Sequence, residues 1–369
     1  MSIKDQKLAG ILTEFASQYV NRESNKNSLI KTTEFVETAV GKKYSHMTIS
    51  RWYKGKASIL QEKEILKEDY SGYYVYDEQE VSAGGRRFQR LALRDLKIKQ
   101  PIAEELAPDK NQETIRRFLT KNLENKPRKA MIVDGDNSYP EIITNDLKMD
   151  YQLDVRHLFE NISKTFKDEC AYGVGHKKLH LADELKKQEI FDIFYPRKKL
   201  LSFIKRGLKT ISKIKDESMR EEKDTDLQKK LLELKRERKK ARRRKGYVSE
   251  HKNYTIGKAR KKFEFVKTLY NFYPKPIQKL LDRIKGNWTH YTLFLIDKNV
   301  PPTSNLIEQY FSSTLQRSDK KEFRNINSLN EFIRLERMKK SGIFPRLITD
   351  TGLNFIAIIG IFLETILGL

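Results

Sequence analysis

Apolar residues recur along this chain with more than one rhythm, and each rhythm predicts a different kind of element. Near the amino end Leu8, Ile11, Leu12, Phe15 and Tyr19 fall at helical spacing, and NRESNKNS then breaks the pattern. TTEFVETAVGKKYSHMTISRWYKGKAS reads as a helix-turn-helix. Phe35, Val36 and Val40 face inward, Gly41 permits the turn, and Ser45 caps a second helix that ends before Gly55. Ile49, Trp52 and Tyr53 anchor that helix and leave His46, Thr48, Ser50, Arg51 and Lys54 outward, side chains suited to base edges and phosphates. A small helical domain with a polar surface is the plainer alternative.

From Tyr70 the period changes to that of strands. SGYYVYDEQEV alternates through Tyr73, Val75 and Asp77, Gly84 and Gly85 make a turn, and a second strand runs through Phe88, Leu91 and Leu93. After a short run from Pro101 to Leu106, Ile115, Phe118, Leu119 and Leu123 mark an amphipathic helix. In AMIVDGDNSYPEIITN a buried strand, Met131 to Val133, ends in Asp134; Gly135 turns the backbone, and Tyr139 and Pro140 open a short amphipathic segment. Beyond Cys170 the helical period returns in LLSFIKRGLKTI, DLQKKLLELKRERKKARRRK, KFEFVKTLYNFY and PIQKLLDRI. PPTSNLIEQYFS then offers Thr303 or Ser304 as a helix cap, with Glu308 near the first turn. The expected organisation is a helix-turn-helix domain over 1–69, an α/β (α+β) core over 70–169 and 301–345, an all-α basic insertion over 170–300, and an apolar helix over 346–369.

Charge narrows the function. With 74 Lys and Arg against 50 Asp and Glu, the formal net charge is +24, which points to a polyanion, nucleic acid ahead of an acidic membrane surface. Nine of the eleven residues from Lys235 to Lys245 are basic and only Glu237 opposes them. Arg242, Arg243 and Arg244 are therefore candidates for phosphate contact, against the plainer reading of a solvated helix face. If about six of these charges each neutralise a phosphate, the log–log salt slope is near −5. A lone Cys170 excludes an internal disulfide framework and any multi-cysteine zinc site, and fits a reducing cytoplasm. No signal peptide is visible in MSIKDQKLAG. The apolar GLNFIAIIGIFLETILGL is long enough for a membrane span, but Asn354, Glu364 and its glycines favour a packing or dimerisation helix.

Three carboxylates from distant segments, Asp77 on a strand beside apolar neighbours, Asp134 at a strand end and Glu308 near a helix start, would together make a site for divalent metal ions. Asp95, in RLALRDL, is a rival ligand on a strand that lies more naturally second, away from Asp134. Asp136 is either a spare ligand or the cap of the following turn.

These segments resemble the DDE transposases of bacterial and archaeal insertion sequences. YDEQEV with GGRRFQRLALRDL is similar to the family's first strand, tight turn and second strand. VDGDNSYPEII resembles the second-aspartate motif, and TSNLIEQYFSSTLQRSDKKEFRNINSLNEFIRL the glutamate motif with its trailing helix, basic loop and last helix. The resemblance covers roughly residues 30–340. It implies an RNase H-like mixed sheet carrying a large all-α insertion. It also implies catalytic Asp77, Asp134 and Glu308 holding two Mg²⁺ ions (Mn²⁺ is an alternative), and cleavage and strand transfer at the ends of a transposon.

Asp154 and His157 in DVRHLFENI resemble the family's Asp-or-Cys, two residues, His element, including that of Mutator-like members. His157 then either contacts the scissile phosphate or orients a water; a hydrogen-bonded structural histidine is the alternative. Trp288 either stacks on an extruded base or fills a core. Lys320, Lys321 and Arg324 would grip the transposon end. Double-stranded DNA, a homodimer or higher oligomer, and a nucleoid-associated place in the cytoplasm complete the expectation. A DNA-binding regulator without catalysis is the rival reading; the acidic triad argues against it, because carboxylates repel phosphate unless metal intervenes.

Overall fold

A computed structural model describes residue 45 and residues 69–98, 101–172, 178–245, 253–315 and 323–341. The expectations for His46, Thr48, Ser50, Arg51, Lys54, Lys320 and Lys321, and for the apolar stretch over 346–369, lie outside the described residues. So do those for the side chains of Arg242, Arg243 and Arg244, whose backbone is helical. Two compact units divide the chain, Met1–Pro127 with Asn305–Leu369, and Arg128–Ser304.

In the first unit strands β1 (Tyr73–Ala83) and β2 (Arg86–Asp95) form an antiparallel hairpin, and β3 (Pro101–Ala107) adds to β2 with a bulge at Leu93/Arg94. The hairpin turns on Gly84 and Gly85, with φ of 57° and 73°. Two consecutive positive φ values are what a tight two-residue hairpin loop requires, and other residues resist them. Helix α1 (Gln112–Leu123) is capped by Asn111, whose side chain accepts from the Thr114 N–H, and buries Ile115, Phe118, Leu119 and Leu123 as the spacing predicts. Far along the chain, helices α10 (Asn305–Thr314) and α11 (Ile326–Ser341) complete the unit. Val81 and Ala83 share a core with Leu315, Leu329 and Ile333, and α10 packs on β1.

The second unit holds strands β4 (Ala130–Val133) and β5 (Asp150–Leu153), paired in parallel with Val133 opposite Leu153. Between them lie a short helix α2 (Tyr139–Glu141) and a π-helical turn (Ile142–Asp146). Helix α3 (Val155–Cys170) follows β5, and the regular elements described from there to Ser304 are all helical. They are α4 (Leu181–Asp192), α5 (Lys198–Ile211), α6 (Glu217–Lys245), α7 (Ile256–Thr268), α8 (Lys275–Gly286) and α9 (Trp288–Ile296), with a 3-10 turn at Tyr270–Phe272. Antiparallel strands, then a helix, then a parallel pair make the protein mixed α/β, the class and element order expected of an RNase H-like core.

Helix α4 departs from the sequence pattern. It buries polar Glu184, Lys187, Gln188, Glu189 and Asp192 alongside its apolar residues. Glu184 accepts from Lys187, Gln188 and Lys235, each at 2.6 Å, so these polar groups satisfy one another. Among the described residues, no helix is long and apolar enough to cross a membrane.

Candidate active site

Within the first unit the register decides which way Asp77 faces. Asp77 lies opposite Ala92 on β2, and directly opposed residues share a face of the sheet. Arg90 and Arg94 flank Ala92 at two-residue steps and so project from that same face. Both reach α10: Arg94 Nη1 donates to the Leu306 carbonyl at 3.0 Å, and Arg90 Nη2 to Thr314 Oγ1 at 2.8 Å. Asp77 therefore looks toward the helix that carries Glu308, across the small Ala92. Both carboxylates are half-buried, and Asp77 Oδ1 also accepts the Glu78 N–H at 2.9 Å.

Arg90 is fully buried, and its charge is met from several sides. Its Nε bonds Glu104 at 2.5 Å and its Nη1 bonds Gln79 at 3.2 Å. The guanidinium carbon lies 5.2 Å from the ring centres of both Tyr310 and Phe311, and the Tyr310 hydroxyl donates to Glu104 at 2.8 Å. This cluster clamps α10 onto the sheet. Asp95, the rival ligand, is likewise consumed structurally. It is buried and accepts from the N–H and hydroxyl of Ser71 and from the Lys97 N–H, which fastens the entry to β1.

In the second unit, parallel pairing of Val133 with Leu153 delivers Asp134 and Asp154 side by side at the carboxyl ends of β4 and β5. That is where open α/β sheets place their ligands. The Asp154 N–H donates to the Val133 carbonyl at 2.8 Å. Asp134 is half-buried, and its Oδ1 accepts the Asp136 N–H at 2.9 Å. That is the one hydrogen bond its carboxylate makes among the described residues, so its second oxygen stays open to a cation. Asp136 accepts from the N–H and hydroxyl of Ser138 and so caps the turn, the second of its two expected roles.

Asp154 is the cap of α3. It accepts from the Arg156 N–H at 2.5 Å and the His157 N–H at 3.4 Å, and from the Ser304 N–H and hydroxyl at 2.8 and 2.6 Å. A carboxylate has about four lone-pair positions, and all are used here. Asp154 thus holds rather than chelates. What it holds is Ser304, at the far end of the same unit. His157 lies in the first turn of α3, half-buried.

The helices of this unit reach back to the same loop. Arg283 of α8 donates through Nη2 to the carbonyl of Gly135, next to Asp134. A Cβ at position 135 would lie 2.6 Å from that nitrogen, so a side chain there would push the guanidinium aside. Gln152, buried in β5, accepts from the Phe294 N–H at 3.0 Å and donates to the Tyr291 carbonyl at 3.3 Å, which fixes α9 over the strand. His290 stacks on Tyr151 at 3.7 Å, and burial pushes its pKa below the ordinary imidazole value. Trp288 is half-buried and stacked on Phe263 at 5.0 Å, and Arg324 is exposed, with its backbone carbonyl against Gly84. Arg90, Arg94 and Arg283 escape notice in the sequence because single arginines in such a basic chain carry no local signal.

Comparison with known proteins adds kinship. No family model matches the chain. Over 166 residues it is 31% identical to the 48.3 kDa protein of insertion element ISM1 from Methanobrevibacter smithii. That alignment covers 43% of this chain and 40% of the other, so the chain spans well under half the length of this curated relative. Its fold is similar to that in the Drosophila P element transposase strand transfer complex, with a TM-score of 0.50 at 12% identity. The match covers 89% of this chain and 91% of that one.

Proposed function

We propose that this chain, kin to an insertion-element protein and folded like a transposase, binds the double-stranded DNA ends of a mobile element. There it cleaves and joins phosphodiesters with divalent metal held by Asp77, Asp134 and Glu308. What supports the reading is that each unit sets acidic side chains on regular elements: in the first, Asp77 faces the Glu308 helix from β1; in the second, Asp134 ends β4 beside the Asp154–Ser304 bonds.

The donor set fits a hard cation. Carboxylate oxygens from Asp77 in β1, Asp134 at the end of β4 and Glu308 in α10 suit Mg²⁺ or Mn²⁺, and among the described residues Asp134 keeps one oxygen clear. A bound ion of this class lowers the pKa of a water and steadies a leaving oxygen. The chain's own part is positional. Arg90 and Arg94 hold α10, Asp154 holds Ser304, and Arg283 holds the loop after Asp134. Asp154 already accepts four hydrogen bonds, which leaves His157 beside it to contact phosphate or orient water.

The test is Asp134→Asn with a duplex carrying the element's end. Nicking in Mg²⁺ disappears while gel-shift affinity for the duplex stays within about twofold of wild type. Persistent nicking removes Asp134 from the site. A wild-type protein that binds ends and never cuts them, in Mg²⁺ or Mn²⁺, would instead be the non-catalytic regulator. Sedimentation on end DNA reads whether a dimer assembles, as the resemblance implies.

A further inference from the structure

Helix α5 begins in an electrostatically adverse way. Arg197 precedes it and Lys198 and Lys199 open it, with no acidic residue in the first turn and no side-chain cap. The start of a helix carries roughly half a positive charge, so three cations there repel both the helix and one another. The surroundings compound the strain. A cleft of about 480 Å³ lies between this turn and α6, lined by Arg197, Lys198, Lys199, Leu234, Glu237 and Arg238 among others. It therefore holds four cations and one carboxylate.

Two of the cations are fixed and two are not. Arg197 donates to Gln188 at 2.8 Å and sits over the ring of Phe191 at 4.7 Å. Arg238 donates to the Pro196 carbonyl at 2.9 Å, which binds α6 to the turn. Lys198 and Lys199 are exposed, and neither is ion-paired to any described residue. Rigid guanidiniums at the wall and free ammonium groups at the rim suit an anion that arrives from outside. With a chain charge of +24, that anion is best supplied by a polymer.

From this geometry we infer that the cleft between the α4–α5 turn and α6 seats backbone phosphates of duplex DNA, with Lys198 and Lys199 as the contacts and Glu237 as a built-in brake on affinity. The inference rests on the DNA-binding reading above. It makes the contact sequence-independent, because phosphates position a protein without reporting base identity.

The experiment uses full-length protein and two duplexes, one with the element's end and one unrelated, titrated over a range of salt. The double variant Lys198→Gln/Lys199→Gln weakens both duplexes by the same factor and lowers the log–log salt slope by about two. Glu237→Gln tightens both, a change that misfolding does not mimic. Wild-type slopes kept by the lysine variant, loss confined to the element's end, or no gain from Glu237→Gln overturns the inference. Inorganic phosphate competing as strongly per charge as duplex does the same, since a small-anion pocket is then indicated. If the wild type binds neither duplex, it is the DNA-binding reading that falls.

Discussion

The Arg90 cluster offers the sharpest test of how Glu308 is positioned. Arg90 has no exposed side-chain surface and Glu104 only 5%. Removing one partner of such a pair strands the other charge in the interior, which costs about 3–5 kcal/mol. Glu104→Ala also deprives the Tyr310 hydroxyl of its acceptor, so the upper part of that range is expected. The double variant Arg90→Met/Glu104→Leu behaves otherwise. It leaves no buried charge, and its remaining deficits are the lost bonds to Thr314, Gln79 and Tyr310, about 1 kcal/mol each. It is therefore more stable than Glu104→Ala, although it carries one more substitution. The assay is native-state hydrogen exchange read on the amides of β2 and α10, which isolates this unit where a global melting curve of a two-unit chain does not. Under the proposed function, cleavage follows the same order, because α10 carries Glu308. A single variant costing under about 1 kcal/mol, or a double variant as damaged as the two singles summed, would refute the claim that this pair pins the helix.

Gly135→Ala drives a methyl to 2.6 Å from the Arg283 guanidinium. Because a flexible side chain can swing away, the cost is about 1–2 kcal/mol, the worth of the lost bond to the Gly135 carbonyl. Arg283→Ala costs the same, and the pair together no more than either alone; additive denaturation midpoints would sink this. Burial pushes the Glu184 carboxyl up, but Lys187 and Lys235 outweigh it and hold it below the ordinary value. Its stabilisation is thus present above the unfolded carboxylate pKa and lost as pH falls through the lowered one. Glu184→Gln should cost about 3 kcal/mol near neutrality and flatten the acid limb of the stability curve. For His290 the folded pKa is depressed by burial, so the unfolded chain takes up the proton first and stability declines as pH drops through the ordinary imidazole value of 6.5. Subtracting the stability curve of His290→Phe from that of wild type should leave that decline; a flat difference means the stacked ring is not excluded from water.

The strands and the first helix were legible because their apolar residues keep a strict period. Gly84 and Gly85 fixed the hairpin, and the buried set of α1 is the one its spacing predicts. Asp134 could be read because an apolar run stops at a carboxylate followed by glycine. Helix α4 was not legible. In LADELKKQEIFD the polar residues face inward and pair with Lys235 and Arg197 from distant segments, so no stripe forms to betray it. Gly135 bends the backbone as its place after the apolar run implies, but the approach of Arg283 from far down the chain is not legible there. Spacing pairs Asp154 with His157, whose N–H it accepts, but its bonds to Ser304 are a relation that only the folded chain creates.

That last relation bears on how a fold tolerates so long an excursion as the one from Asp154 to Ser304. Loop-closure cost grows only logarithmically, about 0.6 kcal/mol for each doubling of length, so a large excursion is thermodynamically cheap. What it threatens is placement, since the returning chain must re-enter in a fixed register. Here the neck is sewn shut from both sides: Val155 N–H to the Pro302 carbonyl at 3.0 Å, and Asp154 to both donors of Ser304. The excursion also has its own core of Leu181, Leu200, Ile204, Leu227 and Leu231, so its folding does not draw on the strands. An insert that is internally stable and pinned at its neck can change in length or charge without disturbing the end of β5. The basic α5–α6 cleft could therefore be elaborated on it while the strand ends stayed as they are.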